Sequence, residues 1–296
     1  MAPTVDGEAR VRASWPVRGI RGSGLNLARW RPGVALSFAF IAVLILAALW
    51  PHLFSSTDPN AADIQHTLEA PSAQHWFGTD QNGRDIFARL VTGARLSLLI
   101  GLAASVLALV GGSLIGVLAA QGGRLVNTVV NRLLDIFLSI PGLLLVLLLI
   151  AVLGPGVRNA IIGLAVITTP GYARVVRGEV IRIRGAVHLE AARALGWSRP
   201  QVVVRHLVPN ALGPVLVLAT IGVGAAIGTG SSLSFLGLGP QAPTAEWGAM
   251  LSSSRAYFTV AWWPAIFPGL AITFTVLAIT VAGQFLQLRV EGRTRS

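Results

Sequence analysis

Six apolar runs separated by polar stretches divide this 296-residue chain. They lie at 33–50, 96–120, 133–153, 159–176, 210–230 and 264–287. Each approaches the roughly 20 residues that carry a helix across a bilayer. No charged residue occurs from Leu207 to Ala245, or from Ala256 to Leu288. The pattern predicts an all-α polytopic membrane protein with six transmembrane helices. In the fourth run, Pro170-Gly171 interrupts the apolar sequence, and Arg174 lies near the end, where its long side chain would reach the interface.

Composition agrees with that reading: 53% of residues are hydrophobic, 12% are charged, and the mean hydropathy is +0.69. All 23 basic residues are Arg; there is no Lys and no Cys. The chain therefore cannot build a Walker phosphate loop or a Schiff base, both of which need Lys, nor a disulfide or a thiol nucleophile. ATP and Mg, if used, are expected on partner subunits, with no cofactor in this chain. A sequence pI near 11.7 can mark a nucleic-acid binder. Here the distribution of charge favours cytoplasmic loops instead, with no nucleic-acid partner. With the N-terminus inside, 18 Arg fall on inner segments, and only Arg84, Arg89, Arg95, Arg158 and Arg255 fall outside.

The resulting division is a cytoplasmic basic tail (1–32), a first transmembrane helix (33–50), an external loop with an amphipathic helix (51–95), a five-helix core (96–288) and a cytoplasmic C-terminal tail (289–296). The first run is read as a retained helix. It exceeds the 7–15 residues of a signal-peptide core, and no small-x-small cleavage site follows it.

Within the core, 179–209 is a polar, arginine-bearing segment on the inner side, and its second half reads EAARALGWSRPQVVVRHLVP (190–209). Leu189, Ala192 and Leu195 recur on one helical face. Gly196 suits a helix stop, and Ser198-Arg-Pro-Gln201 has the form of a capping box, in which Gln201 reaches back to Ser198. The expectation is helix, sharp turn, helix, ending at Pro209, where the fifth membrane helix begins.

This stretch resembles the signature loop of permease subunits of bacterial ABC importers. The greatest similarity is to the dipeptide/oligopeptide/nickel permeases, "C" type. HWFGTDQNGRDIFARLVTGARLSL (75–98), SFLGLGPQAPTAEWGAML (234–251) and RHLVPN (205–210) resemble further motifs of that family. Val208, Ala242 and Ala245 depart from its pattern, as does the C-terminal GQFLQLRVEGRTRS.

The resemblance implies a type I importer permease in the bacterial inner membrane, both termini cytoplasmic, with a coupling-helix hairpin. It implies peptides as cargo, and as partners a second homologous permease, two ABC ATPase subunits, a substrate-binding protein and membrane lipid. It assigns Glu190, Ala191, Ala192, Leu195, Gly196 and Pro209 to ATPase coupling. It assigns Asp80, Gly83, Arg84 and Asp85 to contact with an external partner or binding protein; Glu246 and Trp247 are candidates for the same contact, with a peptide amino terminus the alternative partner of Glu246. Nickel or another small solute is the alternative cargo; a stand-alone secondary transporter is the alternative class, and it would need ionisable groups at the midplane. No His lies in a predicted span, which favours peptides over nickel.

The remaining candidates have ordinary readings. Asp80, Asn82 and Asp85 around Gly83 fall short of a calcium loop, because the twelfth position is Val91. Ile86, Phe87 and Leu90 are expected to face the membrane. Trp247, Trp262 and Trp263 are expected in an aromatic belt. Asp135 is expected to pair with Arg132 on a helix surface. Gly112-x-x-x-Gly116 and Gly224-x-x-x-Gly228 permit close helix packing.

Overall fold

The computed structural model describes residues 32–184, 197, 198, 201, 205 and 208–293. Among them the regular structure is helical: α1 (Pro32–Leu49), α2 (Ile86–Gln121), α3 (Arg124–Ser139), α4 (Gly142–Leu153), α5 (Val157–Arg184), α6 (Val208–Phe235), α7 (Trp247–Ser254) and α8 (Trp263–Arg293). Five of these, α1, α2, α5, α6 and α8, are long and apolar enough to cross a membrane. The pair α3 and α4, bent by 91°, makes a sixth if it crosses as one span.

That bend corrects the unbroken third span expected over 133–153. The residue before a proline is pushed out of the helical region, and Ile140, preceding Pro141, sits at φ −88°, ψ 130°. Its apolar neighbours hide the break from a hydropathy reading. The polar side of α3 then finds partners on α5. Asn127 Oδ1 accepts from Arg177 Nε at 2.8 Å, and Asp135 pairs with Arg174. Asp135 therefore reaches across to α5, where the sequence predicts a bond to Arg132, and Arg174 is held by a carboxylate.

Pro170 does not interrupt α5, which runs continuously through it. Just before it, the Thr168 and Thr169 hydroxyls donate to the carbonyls of Leu164 and Ala165. Here α5 lies tightly against α2. A Cβ on Gly112 would stand 2.6 Å from Tyr172 Cβ, and one on Gly116 would stand 2.6 Å from the Ala173 carbonyl. The small-residue pair thus permits the close approach of α2 and α5. A core of Ala108, Ala165, Tyr172, Val176, Val180 and Val215 fills the space among α2, α5 and α6.

The segment expected as a separate amphipathic helix before residue 95 is the first turns of α2, unbroken from Ile86. Ile86 is fully buried, packed with Trp247, Met250, Ala261 and Trp263, so it does not face lipid. Phe87 makes ring contacts with Trp76 and Phe77, and Phe77 stacks on Phe267 at 4.1 Å between centroids. The 51–85 loop, the start of α2 and the region around α7 together form a cap on one end of the bundle.

Candidate functional site

The cap is organised by a turn at 80–83. The Asp80 carbonyl accepts from Gly83 N at 2.9 Å, and Asp80 Oδ1 accepts from Asn82 N and Arg84 N at 2.8 and 3.0 Å. Such an Asx turn is the local reason for Asp at this position. Gly83 has φ +70°, and a Cβ there would stand 1.7 Å from the Asp63 carbonyl oxygen, so only glycine fits. Asp85 ends the turn and caps α2. Its Oδ1 accepts from Ala88 N at 2.8 Å, while Oδ2 lies 2.9 Å from His75 Nδ1.

Asp80 Oδ2 also accepts from Arg84 Nε at 2.7 Å and lies 3.5 Å from Arg89 Nε. All three side chains are nearly buried. Arg89 Nη1 donates to the Pro59 carbonyl at 2.9 Å and to the Pro243 carbonyl at 3.3 Å. One guanidinium therefore ties the 51–63 loop to the segment before α7.

Glu246 and Trp247 close the other side. Glu246 is 1% exposed and caps α7, accepting from Gly248 N at 3.0 Å and Ala249 N at 2.8 Å. Ser97 of α2 donates its hydroxyl to Glu246 Oε1 at 3.0 Å and accepts from Trp247 N at 3.2 Å. Trp247 buries its indole and donates Nε1–H to the Leu90 carbonyl at 2.8 Å; Trp263 donates to the Thr79 carbonyl at 3.2 Å. A buried indole N–H needs such a partner. Both rings are buried within the chain instead of facing outward as belt residues would, whereas Trp262 is half exposed.

The six residues expected at an external contact are thus brought together, but they face inward. Asp80, Arg84, Asp85, Glu246 and Trp247 are each at most 8% exposed, and Gly83 is buried. Asp80, Asp85, Glu246 and Trp247 hold the cap's own backbone, and Arg84 pairs with the Asp80 carboxylate. Arg89, Ser97 and His75 belong to the same arrangement and escape sequence reasoning. Arg89 sits one helical turn beyond Asp85, the one signal available for it. Ser97 meets a residue 149 positions away.

On the exposed part of the loop, Asp63 Oδ2 and His66 Nδ1 lie 2.7 Å apart. The hydrogen bond to His66, then that from Gln65 N–H, holds the Asp63 carboxyl below its usual range. The bond to Asp63 raises the His66 imidazole above its usual value.

Glu190, Ala191, Ala192, Leu195 and Gly196 lie outside the described residues. Their C-terminal neighbours are described. Gln201 Oε1 accepts from Ser198 N at 3.0 Å and from Ser198 Oγ at 2.9 Å, which is the reach-back half of the capping box. Trp197 packs against the core cluster among α2, α5 and α6, with the Arg205 guanidinium 5.6 Å from its ring centroid. Pro209 is the second residue of α6, where its missing N–H costs no helical bond.

Five helices, or six with the bent pair, are long and apolar enough to span a membrane, and a polar stretch of sequence separates α5 from α6, as in a membrane-embedded subunit. Residues 112–296 match the family described as binding-protein-dependent transport system inner membrane component, and the chain belongs to that family. It is 41% identical over 256 residues to the dipeptide transport system permease protein of Alkalihalophilus pseudofirmus, covering 86% of this chain and 84% of that one. It is 38% identical over 252 residues to the probable D,D-dipeptide transport system permease protein of Escherichia coli, covering 85% of each. The fold is similar to the inward-facing MetNI methionine ABC transporter, with a TM-score of 0.55 and 26% identity over 68% of this chain and 96% of that one.

Proposed function

We propose that this chain is the permease subunit of an ATP-driven importer and forms half of the translocation pathway for small peptides. The observation that carries the cargo class is the 41% identity, across 86% of the chain, with a dipeptide permease. A homologous second permease completes the pathway, and a substrate-binding protein delivers peptide to the outer cap. Two ATPase subunits hold ATP and Mg, consistent with a chain that has no Lys for a Walker loop. The arginine bias sets both termini and the 190–209 segment on the cytoplasmic side of the inner membrane.

In this reading Glu190 makes a charged contact with an ATPase, Ala191, Ala192 and Leu195 enter its groove, and Gly196 permits the turn. Closure of the ATPases displaces that segment. The motion passes through Trp197, anchored on the α2–α5–α6 core, and through Pro209 into α6. Broad apolar surfaces on α2, α3 and α4, with Leu114, Leu125, Leu148 and Val152 exposed, suit lipid and the second permease. Affinity purification of the tagged chain after co-expression tests the assembly. A complex with a second permease and two ATPases is the expected result, and recovery of this chain alone would defeat the reading.

A further inference from the structure

The cap contains a cleft of about 210 Å³ between the 80–89 turn and the segment from Ser234 to Ser253. Arg84, Arg89, Asn82, Ser234, Gln241 and Thr244 are among its lining residues. Two guanidiniums meet there, but among the described residues Asp80 is the one carboxylate within ion-pair reach of either. The nearby acids are engaged elsewhere: Asp85 by Ala88 N and His75, Glu246 by Ser97 and the first N–H groups of α7. The Asp80–Arg84–Arg89 cluster therefore holds one surplus positive charge out of bulk water, an arrangement that favours a compensating anion.

Arg84 uses Nε on Asp80, and no hydrogen bond joins its Nη1 or Nη2 to any described residue. The two Nη groups of one guanidinium match a carboxylate. One surplus charge, with an Asp80 oxygen close by, suits a monoanion better than a dianion such as phosphate.

We propose that this cleft is a carboxylate-binding site. The carboxylate is either the C-terminus of cargo, a source that rests on the peptide-import reading above, or an acidic side chain of the docked binding protein. The chemistry is the same, and three arms separate the cases. The first follows thermal unfolding of the purified full-length chain with acetate or acetamide at equal ionic strength. It compares wild type, Arg84→Gln and Asn82→Asp. Asn82 is exposed, so the second substitution adds a competing carboxylate at the cleft without removing a buried side chain. Acetate is expected to raise the Tm of wild type where acetamide does not, with apparent affinity falling about tenfold or more in both variants.

The second arm repeats the comparison on the assembled transporter with glycylglycine and glycylglycinamide. Selective protection by the free acid assigns the carboxylate to cargo. The third measures affinity of the binding protein for the same assemblies. A tenfold loss in both variants, without glycylglycine protection, assigns it to the docked protein. Equal response to acetate and acetamide, or an acetate response unchanged in Asn82→Asp, overturns the site. Dipeptide uptake by wild type is scored separately, so uptake without carboxylate selectivity rejects the site and leaves the import reading standing.

Discussion

Replacing Glu246 distinguishes a structural anchor from an external contact. Its carboxylate accepts three hydrogen bonds, from Ser97 Oγ, Gly248 N and Ala249 N, while 1% exposed. Loss of a helix cap costs about 1 kcal/mol. Leaving a buried donor unsatisfied costs about 1–3 kcal/mol. Glu246→Ala removes the cap and strands the Ser97 hydroxyl, whose other bond is to Trp247 N. The two terms together come to about 2–4 kcal/mol. At the ~2–4 °C per kcal/mol typical of a chain this size, the midpoint should fall by about 4–16 °C. Glu246→Gln keeps one acceptor oxygen and should fall by less than half as much. The assay is thermal unfolding of the detergent-solubilised chain alone, with no partner present. An unchanged midpoint in Glu246→Ala, combined with weakened binding-protein affinity, would refute the buried-anchor assignment.

Other substitutions probe the same scaffold. Gly83→Ala should destabilise the chain by more than the ~1–2 kcal/mol of left-handed strain, because its Cβ would stand 1.7 Å from the Asp63 carbonyl; a melting curve equal to wild type would show the turn to be adaptable. Gly112→Leu should force α2 from α5, since even a Cβ stands 2.6 Å from Tyr172 Cβ, and a cysteine cross-link between those helices should lose efficiency. The Asp63–His66 pair should fasten its loop in a limited pH window. The lowered Asp63 contribution is present above the unfolded value near 3.8 and lost as pH falls through the folded one. The raised His66 contribution is present below the unfolded value near 6.5 and lost as pH rises through the folded one. In an NMR titration, Asp63→Asn should return the His66 midpoint toward 6.5, and an unmoved midpoint would disprove the coupling.

Much of the membrane architecture is legible in single runs of sequence, because a spanning helix announces itself by length and apolarity. The Ser198–Gln201 bond is equally readable, since a capping box spans four consecutive residues. The break at Ile140–Pro141 was hidden, because the apolar residues on both sides outweigh one proline in a hydropathy average. The Asp135–Arg174 pair was hidden too, as its partners are 39 positions apart and meet once α3 folds back on α5. The outer motifs could be recognised, but their roles could not. Nothing local says that Glu246 points inward at Ser97 rather than outward at a partner. Burial of that kind is a property of α2 meeting α7, so it becomes visible only in three dimensions.

In the proposed function this chain transmits the work of another subunit's ATP to peptide passage. Dipeptide uptake into proteoliposomes holding the full assembly tests it most directly, with wild type compared to Gly196→Trp. Uptake should require ATP, the ATPases and the binding protein, and should be abolished in the variant although the variant still inserts. Uptake by this chain alone without ATP, or normal uptake by Gly196→Trp, would contradict it.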